Sequence, residues 1–276
     1  MYGAIIGDIV GSRFEHDRNN YKHKEFHFFE SIAFCGRPSC HFTDDTVMTV
    51  ATASVLLTTG LNQDCSAEDY ALAYKEFGNL YPDAGYGSMF KGWLASSELS
   101  VNSSFGNGSA MRVSPIGNLF NSLHSVLHEA VKSCLYTHSH PEGIKGSQAV
   151  AAAVYMARHQ ESKPAIANYI TKTFGYDLSR RLDEIRPDYV MDATCQGSVP
   201  EAIIAFLEAT DFESAIRNAV SLGGDSDTIA AIAGSIAEAY YRYIPKWMID
   251  QAEQMLDRRL LEIVHQFYSH LRRSDD

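Results

Sequence analysis

Apolar residues recur every three or four positions along most of this chain, and this spacing limits the folds that the sequence can adopt. A period near 3.6 places apolar side chains on one face of an α-helix, whereas a half-buried strand requires strict alternation. Alternating runs are scarce, and the best candidate strand is the short segment Phe26–Phe34. The sequence therefore predicts an all-α fold.

Seven segments carry the helical spacing most clearly. The predicted helices are Thr46–Leu57, Ala67–Leu80, Ile144–Ala157, Pro200–Leu207, Phe212–Leu222, Asp227–Tyr241 and Trp247–Leu271. Small residues dominate Ala230–Ala237, which lets other backbones approach closely and indicates a central helix. Neither a low-complexity linker nor a repeat of solenoid length divides the chain, so we expect one domain over residues 1–276.

The composition argues against several classes of protein. Hydrophobic residues make up 45% and charged residues 21%, the balance of a soluble globular chain. We expect neither a membrane span nor a signal peptide, because no apolar run approaches about 20 residues and no basic region opens the chain. The net charge of −11 disfavours general binding to nucleic-acid phosphates. Five irregularly spaced cysteines favour free thiols in the reducing cytoplasm over a disulfide framework.

Acidic residues gather in three short segments, Gly7–Glu15, Phe42–Thr46 and Gly223–Thr228. The last two stand directly before long apolar helices, where a single aspartate or threonine can cap the free N–H groups. Each carries two aspartates, and adjacent carboxylates repel unless a cation lies between them. Hard divalent cations take several oxygen ligands at once, so a metal site is an alternative to simple capping. The candidate ligands for two such ions are Asp44, Asp45, Asp225, Asp227, Thr43 and Thr228.

Other metal and phosphate motifs fit the sequence less well. Asp225–Asp227 carries the D-x-D part of the D-x-D-x-T pattern of aspartate-nucleophile phosphatases, but that motif ends a strand near the start of a chain, and here it opens a helix near the end. An EF-hand is disfavoured because no ligand-bearing loop continues after Thr228. Cys35, Cys40 and His41 offer three zinc ligands without a second pair, so incidental thiols in a loop are the alternative.

Two glycine-containing loops lie between the acidic segments, at Gly85–Ser88 and Phe105–Arg112. Such loops can bring backbone N–H groups to an anion, although each is also compatible with a tight turn. Phe105 can stack on a base or pack in the core. Together with a dication site, these loops indicate a substrate that carries phosphates and hydroxyls.

In combination and in this order, the motifs resemble those of the ADP-ribosylglycohydrolase family. The matching segments are Gly7-Asp8-x-x-Gly11-Ser12-x-x-Glu15, Thr43–Thr46, Gly106–Arg112, Thr137-His138 and Gly223–Ala230. The resemblance implies a compact orthogonal multi-helix bundle with a central dimetal cleft. It also implies hydrolysis of the glycosidic bond between ADP-ribose and an acceptor.

The same resemblance implies roles for individual residues. Two Mg²⁺ or Mn²⁺ ions would be held by Glu15, Thr43, Asp44, Asp45, Asp225, Asp227 and Thr228. The substrate would be bound by Gly85, Tyr86, Gly87, Ser88, Ser104, Phe105, Gly106, Asn107, Gly108 and His138. The catalytic candidates are Glu15, Asp44, Asp45 and Asp227, with no assignment of the base. Asp8 is expected to support the fold behind the metal ligands.

The resemblance leaves the acceptor open. The expected substrate is an ADP-ribosylated protein or a small ADP-ribosyl conjugate, linked through arginine, serine or another group. Two other functions stay possible: a homologue that holds ADP-ribose or a nucleotide without hydrolysis, and a metal-dependent phosphoesterase that cuts the diphosphate. The segment between Glu15 and Phe42 is either a lid over the acidic pocket or a solvated loop. Its basic and histidine residues are His16, Arg18, Lys22, His23, Lys24 and His27.

Overall fold

A computed structural model describes residues 1–15, 20–30, 39–59 and 65–274 of the chain. These residues form fourteen α-helices and one 3₁₀ helix, Asn107–Ser109. In chain order the α-helices are α1 (Tyr2–Gly11), α2 (Asp44–Thr59), α3 (Ala67–Leu80), α4 (Ser88–Ala95), α5 (Ser114–Leu119), α6 (Leu123–Cys134), α7 (Pro141–Arg158), α8 (Lys163–Phe174), α9 (Leu182–Ile185), α10 (Cys195–Leu207), α11 (Phe212–Val220), α12 (Ser226–Tyr241), α13 (Lys246–Met255) and α14 (Arg258–Ser274). No sheet forms within the described ranges, where two isolated bridges pair Ser103 with His138 and Gly106 with Thr194.

The all-α prediction is confirmed, and the apolar spacing located most of the helices that it predicted. Helix α3 has the predicted bounds, and α2, α7, α11 and α12 overlap their predicted segments with ends shifted by a few residues. The part of the candidate strand that the structure describes, residues 26–30, is not a strand. Residues 31–34 lie outside the described residues.

Two predicted helix boundaries are wrong. The predicted helix Trp247–Leu271 is divided into α13 and α14, because Leu256 is extended and the Asp257 carboxylate accepts the Leu260 N–H at 3.0 Å, which caps a new helix. Helix α10 begins at Cys195 rather than at Pro200, since Thr194 accepts the Gly197 N–H at 3.1 Å. The spacing of apolar residues carries no information on such caps.

Helix α1 was not predicted, and it packs closely against α12. Gly3, Gly7 and Gly11 are spaced by four and face α12, where a Cβ on each would collide with a backbone carbonyl of Gly234, Ala230 or Ser226. The two backbones therefore lie in direct contact. Helix α12 also packs against α2, α7, α10 and α11, as expected of a central helix with small side chains.

One apolar cluster of buried residues extends through the described helices from Met1 to Phe267. Cys40, Cys134 and Cys195 are buried free thiols, and Cys65 is buried as well. Among the described helices, none combines the length and the apolar character needed to cross a membrane.

Residues 20–30 lack regular secondary structure but pack closely on the helices. Lys22 donates hydrogen bonds to the carbonyls of Tyr189 and Leu222, and the guanidinium of Arg217 lies over the rings of Phe26 and Phe28. This packing favours neither a freely moving lid nor a fully solvated loop for these residues, although His23, Lys24 and His27 are exposed. His16 and Arg18 lie outside the described residues.

Candidate active site

The three acidic segments converge on one cavity of about 310 Å³. Glu15 follows the end of α1, Asp44 and Asp45 open α2, and Asp225 and Asp227 flank the first residue of α12. These five residues all line the cavity, and they are called the carboxylate cluster here. The pairing of α1 with α12 brings the first and third segments together, although about 210 residues separate them in the sequence.

Three members of the carboxylate cluster lie close enough to share one cation. Glu15, Asp225 and Asp227 each offer a carboxylate oxygen, and these atoms all lie within 4.8 Å of one another. Asp225 and Asp227 are buried, and Glu15 is half-buried. Hard divalent cations prefer such sets of carboxylate oxygens, so the donor chemistry fits Mg²⁺ or Mn²⁺.

Asp45 provides a second test of whether a cation fits. Its Oδ2 accepts a hydrogen bond from the Thr228 hydroxyl at 3.0 Å, whereas its Oδ1 is buried without a hydrogen-bond partner among the described residues. A buried carboxylate oxygen without a partner is costly unless another group compensates it. A cation in the cavity would compensate Asp45 Oδ1, so the residues present fit a metal site.

The protein alone disfavours ionisation of three members of the carboxylate cluster, Asp44, Asp45 and Asp227. Burial, together with the charges of Asp8, Asp225 and Glu15, raises the pKa of Asp44 to about 8. Burial and neighbouring carboxylates also raise the pKa of Asp45 and of Asp227 well above the usual value. Loss of hydration and repulsion between like charges are the physical causes, and a bound cation would oppose both.

Asp8 is buried beside the cluster but does not line the cavity. Its carboxylate accepts hydrogen bonds from the backbone N–H groups of Thr43 and Thr46 at 2.9 and 3.0 Å, and from both threonine hydroxyls. Asp8 thereby holds the start of α2 in place, as expected of a residue that supports the metal ligands. The Thr43 hydroxyl, a predicted ligand, donates to Asp8 at 2.7 Å and lies outside the cavity lining.

The loop Gly85–Ser88 forms one wall of the cavity through Gly85, Gly87 and Ser88. Gly85 has a φ of 104°, and a Cβ there would lie 3.5 Å from the Asp44 carboxylate. Tyr86 is buried against Phe90 instead of lining the cavity, and its hydroxyl has no partner among the described residues. A substrate-binding role for Tyr86 stays a prediction.

The loop Ser104–Gly108 forms another part of the wall, and all of its residues except Phe105 line the cavity. The Asn107 amide donates to Asp225 Oδ2 at 2.6 Å and to the Ser198 hydroxyl at 3.0 Å, so this side chain orients a member of the carboxylate cluster. Phe105 is 43% exposed and lies beside His140, which is inconsistent with a core residue. Its predicted contact with the substrate is not tested by this placement.

Several cavity residues had no role in the sequence analysis. They are Met48, Met89, Phe90, Met111, Arg112, Met191 and Ala193. Met191 and Ala193 belong to an irregular segment without a recognisable motif, so the sequence carries no signal for them. Arg112 is different, because it belongs to the motif Gly106–Arg112 that matches the family, and this motif could have indicated a role for it. The zinc possibility gains no support, because Cys40 is buried with its thiol directed to the Phe28 carbonyl, and Cys35 lies outside the described residues.

Comparisons with known proteins show to which family the chain belongs. A model of the ADP-ribosylglycohydrolase family matches residues 1–276. The chain is 30% identical to ADP-ribosylhydrolase ARH3 of Homo sapiens, with 87% of this chain and 84% of that protein aligned. It is 26% identical to the Gallus gallus protein of the same name, over 97% of this chain and 92% of that protein. A solved structure described as an ADP-ribosylglycohydrolase-related protein complex shares the fold, with a TM-score of 0.71 and 24% identity over 97% of this chain and 94% of that one. The chain belongs to the ADP-ribosylglycohydrolase family.

Proposed function

We propose that this chain hydrolyses the glycosidic bond between ADP-ribose and an acceptor by means of divalent cations held in the carboxylate cluster. As a member of its family, the chain is an ADP-ribosyl hydrolase. The observation that carries the metal-dependent mechanism is the group Glu15, Asp225 and Asp227, whose ligand oxygens lie within 4.8 Å in the cavity. The substrate is an ADP-ribosylated protein or a small ADP-ribosyl conjugate.

Two Mg²⁺ or Mn²⁺ ions are the proposed cofactors. Glu15, Asp225 and Asp227 would hold one ion, because their oxygens already lie together. The donor set for the second ion is Asp44, Asp45 and the hydroxyls of Thr43 and Thr228. When bound, such ions orient hydroxyl groups and lower the pKa of a coordinated water.

The residues of the chain supply positioning and proton transfer. Cleavage at the anomeric carbon builds positive charge on the ribose, and the carboxylate cluster favours positive charge in this part of the cavity. A carboxylate accepts the proton of the attacking water, and the candidates are Glu15, Asp44, Asp45 and Asp227. The loops Gly85–Ser88 and Ser104–Gly108 would surround the diphosphate and adenosine, because residues of both loops line the cavity together with the carboxylate cluster.

One incubation separates this function from the two alternatives. The protein is mixed with Mg²⁺ and either an ADP-ribosylated peptide or free ADP-ribose, and the products are identified by mass spectrometry. Release of intact ADP-ribose is expected. Binding without product would indicate a non-hydrolytic homologue, and AMP with ribose phosphate would indicate a phosphoesterase. Peptides linked through arginine and through serine, compared in parallel, identify the acceptor.

We place the protein in the cytoplasm. The proposal rests on its cysteines, because Cys40, Cys134 and Cys195 are free thiols and a reducing compartment keeps thiols unpaired. Fractionation of the source cells with detection of the protein tests this location.

A further inference from the structure

Arg112 is a buried cation at the edge of the cavity whose charge is held by neutral groups. Its side chain is 1% exposed, and its Nη2 donates to the Ser133 carbonyl at 3.0 Å and to the Thr137 hydroxyl at 2.6 Å. Its guanidinium carbon lies 4.0 Å from the centroid of the Tyr74 ring. Among the described residues no carboxylate lies within ion-pairing distance of Arg112, so its contacts fix the orientation of a donor rather than neutralise an acid.

The Thr137 hydroxyl connects Arg112 to His138. Thr137 Oγ1 lies 2.9 Å from His138 Nδ1 and accepts from Arg112, which can only donate. The threonine then has one proton left, and within the described residues His138 Nδ1 is the acceptor in reach. The opposite assignment would direct two N–H donors at Thr137 Oγ1 and leave the hydroxyl proton without an acceptor. His138 Nδ1 is therefore the accepting nitrogen.

His138 is neutral in this environment. Its side chain is buried, and burial together with the positive charge of Arg112 lowers the pKa of His138 well below the usual value. A neutral imidazole that accepts at Nδ1 carries its proton on Nε2. The ring consequently presents one N–H donor, and no acceptor, on its Nε2 side.

The Nε2 side of His138 faces the glycine loop of the cavity. A Cβ on Gly108 would lie 3.0 Å from His138 Nε2, and a Cβ on Gly106 would lie 3.7 Å from it. His138 lines the cavity, and the hydrogen bond that its ring forms among the described residues is made at Nδ1. The two glycines thus leave room for the ring, and the hydrogen-bonded chain ends at an unused donor.

We propose that Arg112 and Thr137 are positioning residues that hold His138 as the neutral Nε2–H tautomer, so that its ring donates a hydrogen bond to an oxygen of the bound ADP-ribosyl group. The identity of that acceptor rests on the proposed function, whereas the tautomer does not. In this arrangement His138 binds the substrate and takes no proton during hydrolysis. The sequence motifs contain Arg112 and Thr137, but only the tertiary contacts connect them.

Nuclear magnetic resonance of the full-length protein labelled with ¹⁵N-histidine tests the tautomer directly. Two-bond ¹H–¹⁵N correlations distinguish Nδ1–H, Nε2–H and imidazolium forms, and a His138→Gln variant assigns the signal among the eleven histidines. We expect the Nε2–H pattern between about pH 6 and 8. We also expect Thr137→Ser to preserve the pattern, because it keeps the hydroxyl, and Thr137→Val to give a mixture of tautomers. An Nδ1–H or imidazolium pattern in the unmutated protein would overturn the proposal, whatever the variants do.

Equilibrium binding of ADP-ribose tests the use of the donor. We expect Thr137→Val to weaken binding by roughly two- to tenfold, the range for loss of one hydrogen bond, and Thr137→Ser to restore most of the affinity. Thr137→Val with the affinity of the unmutated protein would overturn the positioning role. If the unmutated protein fails to bind ADP-ribose, the proposed function is contradicted together with the named acceptor, and the NMR pattern still decides the tautomer.

Discussion

At the scale of single residues, hydrogen bonding separates Asp8 from the aspartates that line the cavity. The described residues that donate hydrogen bonds to the Asp8 carboxylate are Thr43 and Thr46, and both carboxylate oxygens have donors. Asp45 keeps one buried oxygen without a donor among the described residues. A carboxylate whose oxygens are satisfied by the protein supports the fold, whereas one with an unsatisfied oxygen is suited to bind a cation.

Asp225→Ala and Asp227→Ala should each abolish hydrolysis. Each change removes a carboxylate from the group that would hold one ion, and water replaces that charge poorly. Turnover of an ADP-ribosylated peptide and metal content by mass spectrometry measure the effect. Asp183→Asn is the matched control, because Asp183 is exposed and pairs with Arg186 away from the cavity. Full activity of Asp225→Ala with unchanged metal content would refute the dimetal mechanism.

Phe105→Ala should weaken substrate binding while largely keeping turnover at saturation. We expect a roughly ten- to hundredfold loss of affinity, because base–aromatic stacking contributes about 1–3 kcal/mol. A contact remote from the anomeric carbon acts similarly in the ground and transition states, so KM should rise and kcat should change little. Since Phe105 is 43% exposed, the melting temperature should be nearly unchanged. A variant that unfolds would show that Phe105 has a structural role instead.

Added Mg²⁺ or Mn²⁺ should raise the melting temperature. The carboxylates of the cluster repel one another without a cation, and an ion that binds only the folded chain stabilises it by about 2.7 kcal/mol at one hundred times its Kd. Thermal melts in excess EDTA and in millimolar metal measure the difference. The Asp225→Ala variant should lose most of the metal-dependent rise, and coincident melts of the unmutated protein would contradict the prediction.

At the scale of the helices, α1 and α12 set the geometry of the site through a line of glycines. The contact of Gly3, Gly7 and Gly11 with the α12 backbone positions the C-terminal end of α1 beside α12. Glu15 follows this end by four residues. The same contact brings Glu15 beside Asp225 and Asp227. The geometry of these candidate metal ligands therefore depends on the packing of two backbones as well as on their own side chains.

Gly7→Ala should destabilise the protein strongly. The added Cβ would collide with the carbonyl oxygen of Ala230, which belongs to the backbone and cannot rotate away. We therefore expect the free energy of unfolding to fall by at least about 3 kcal/mol. Gly92→Ala on α4 is the matched control, since no atom lies within 4 Å of its added Cβ. This control should gain about 0.5–1 kcal/mol, because alanine favours helices over glycine. Urea unfolding of both variants measures the contrast, and equal stabilities would contradict the backbone contact.

Residues 20–30 also contact the turn that precedes Asp225, in the third acidic segment. Gly223 and Gly224 have φ values of 69° and 65°, a left-handed conformation that glycine adopts readily. The Asn20 side chain accepts the Gly224 N–H at 2.8 Å, and Lys22 donates to the Leu222 carbonyl in the same turn. These contacts hold the backbone directly before Asp225.

At the scale of the whole molecule, we predict one domain that unfolds in a single transition. The buried apolar cluster includes residues from both ends of the described chain, and α1 packs against helices near the C-terminus. A continuous core of this kind favours cooperative unfolding. Urea titrations in EDTA, followed by circular dichroism and by fluorescence of the two tryptophans, should coincide. Two separated transitions would show that the chain consists of independent units.

The sequence by itself determined the helical class, most of the long helices and the family, because periodicity and short motifs are properties of neighbouring residues. It also identified Glu15, Asp44, Asp45, Asp225 and Asp227 as candidates that line one cavity in the structure. The helix α1 escaped prediction because its three glycines weaken a purely local signal for a helix. Their role, which is to allow close contact with the α12 backbone, is evident only from the tertiary structure.

The tertiary structure alone decided which side chains meet. It joined the first and last acidic segments, directed the Asn107 amide to Asp225, placed Phe105 at the surface and connected Arg112 through Thr137 to His138. Spacing along a chain reports the face of a helix on which a residue lies, but not the partner that the face meets. Contacts between distant segments depend on how backbones pack, and here that packing depends on the close approach of α1 to α12.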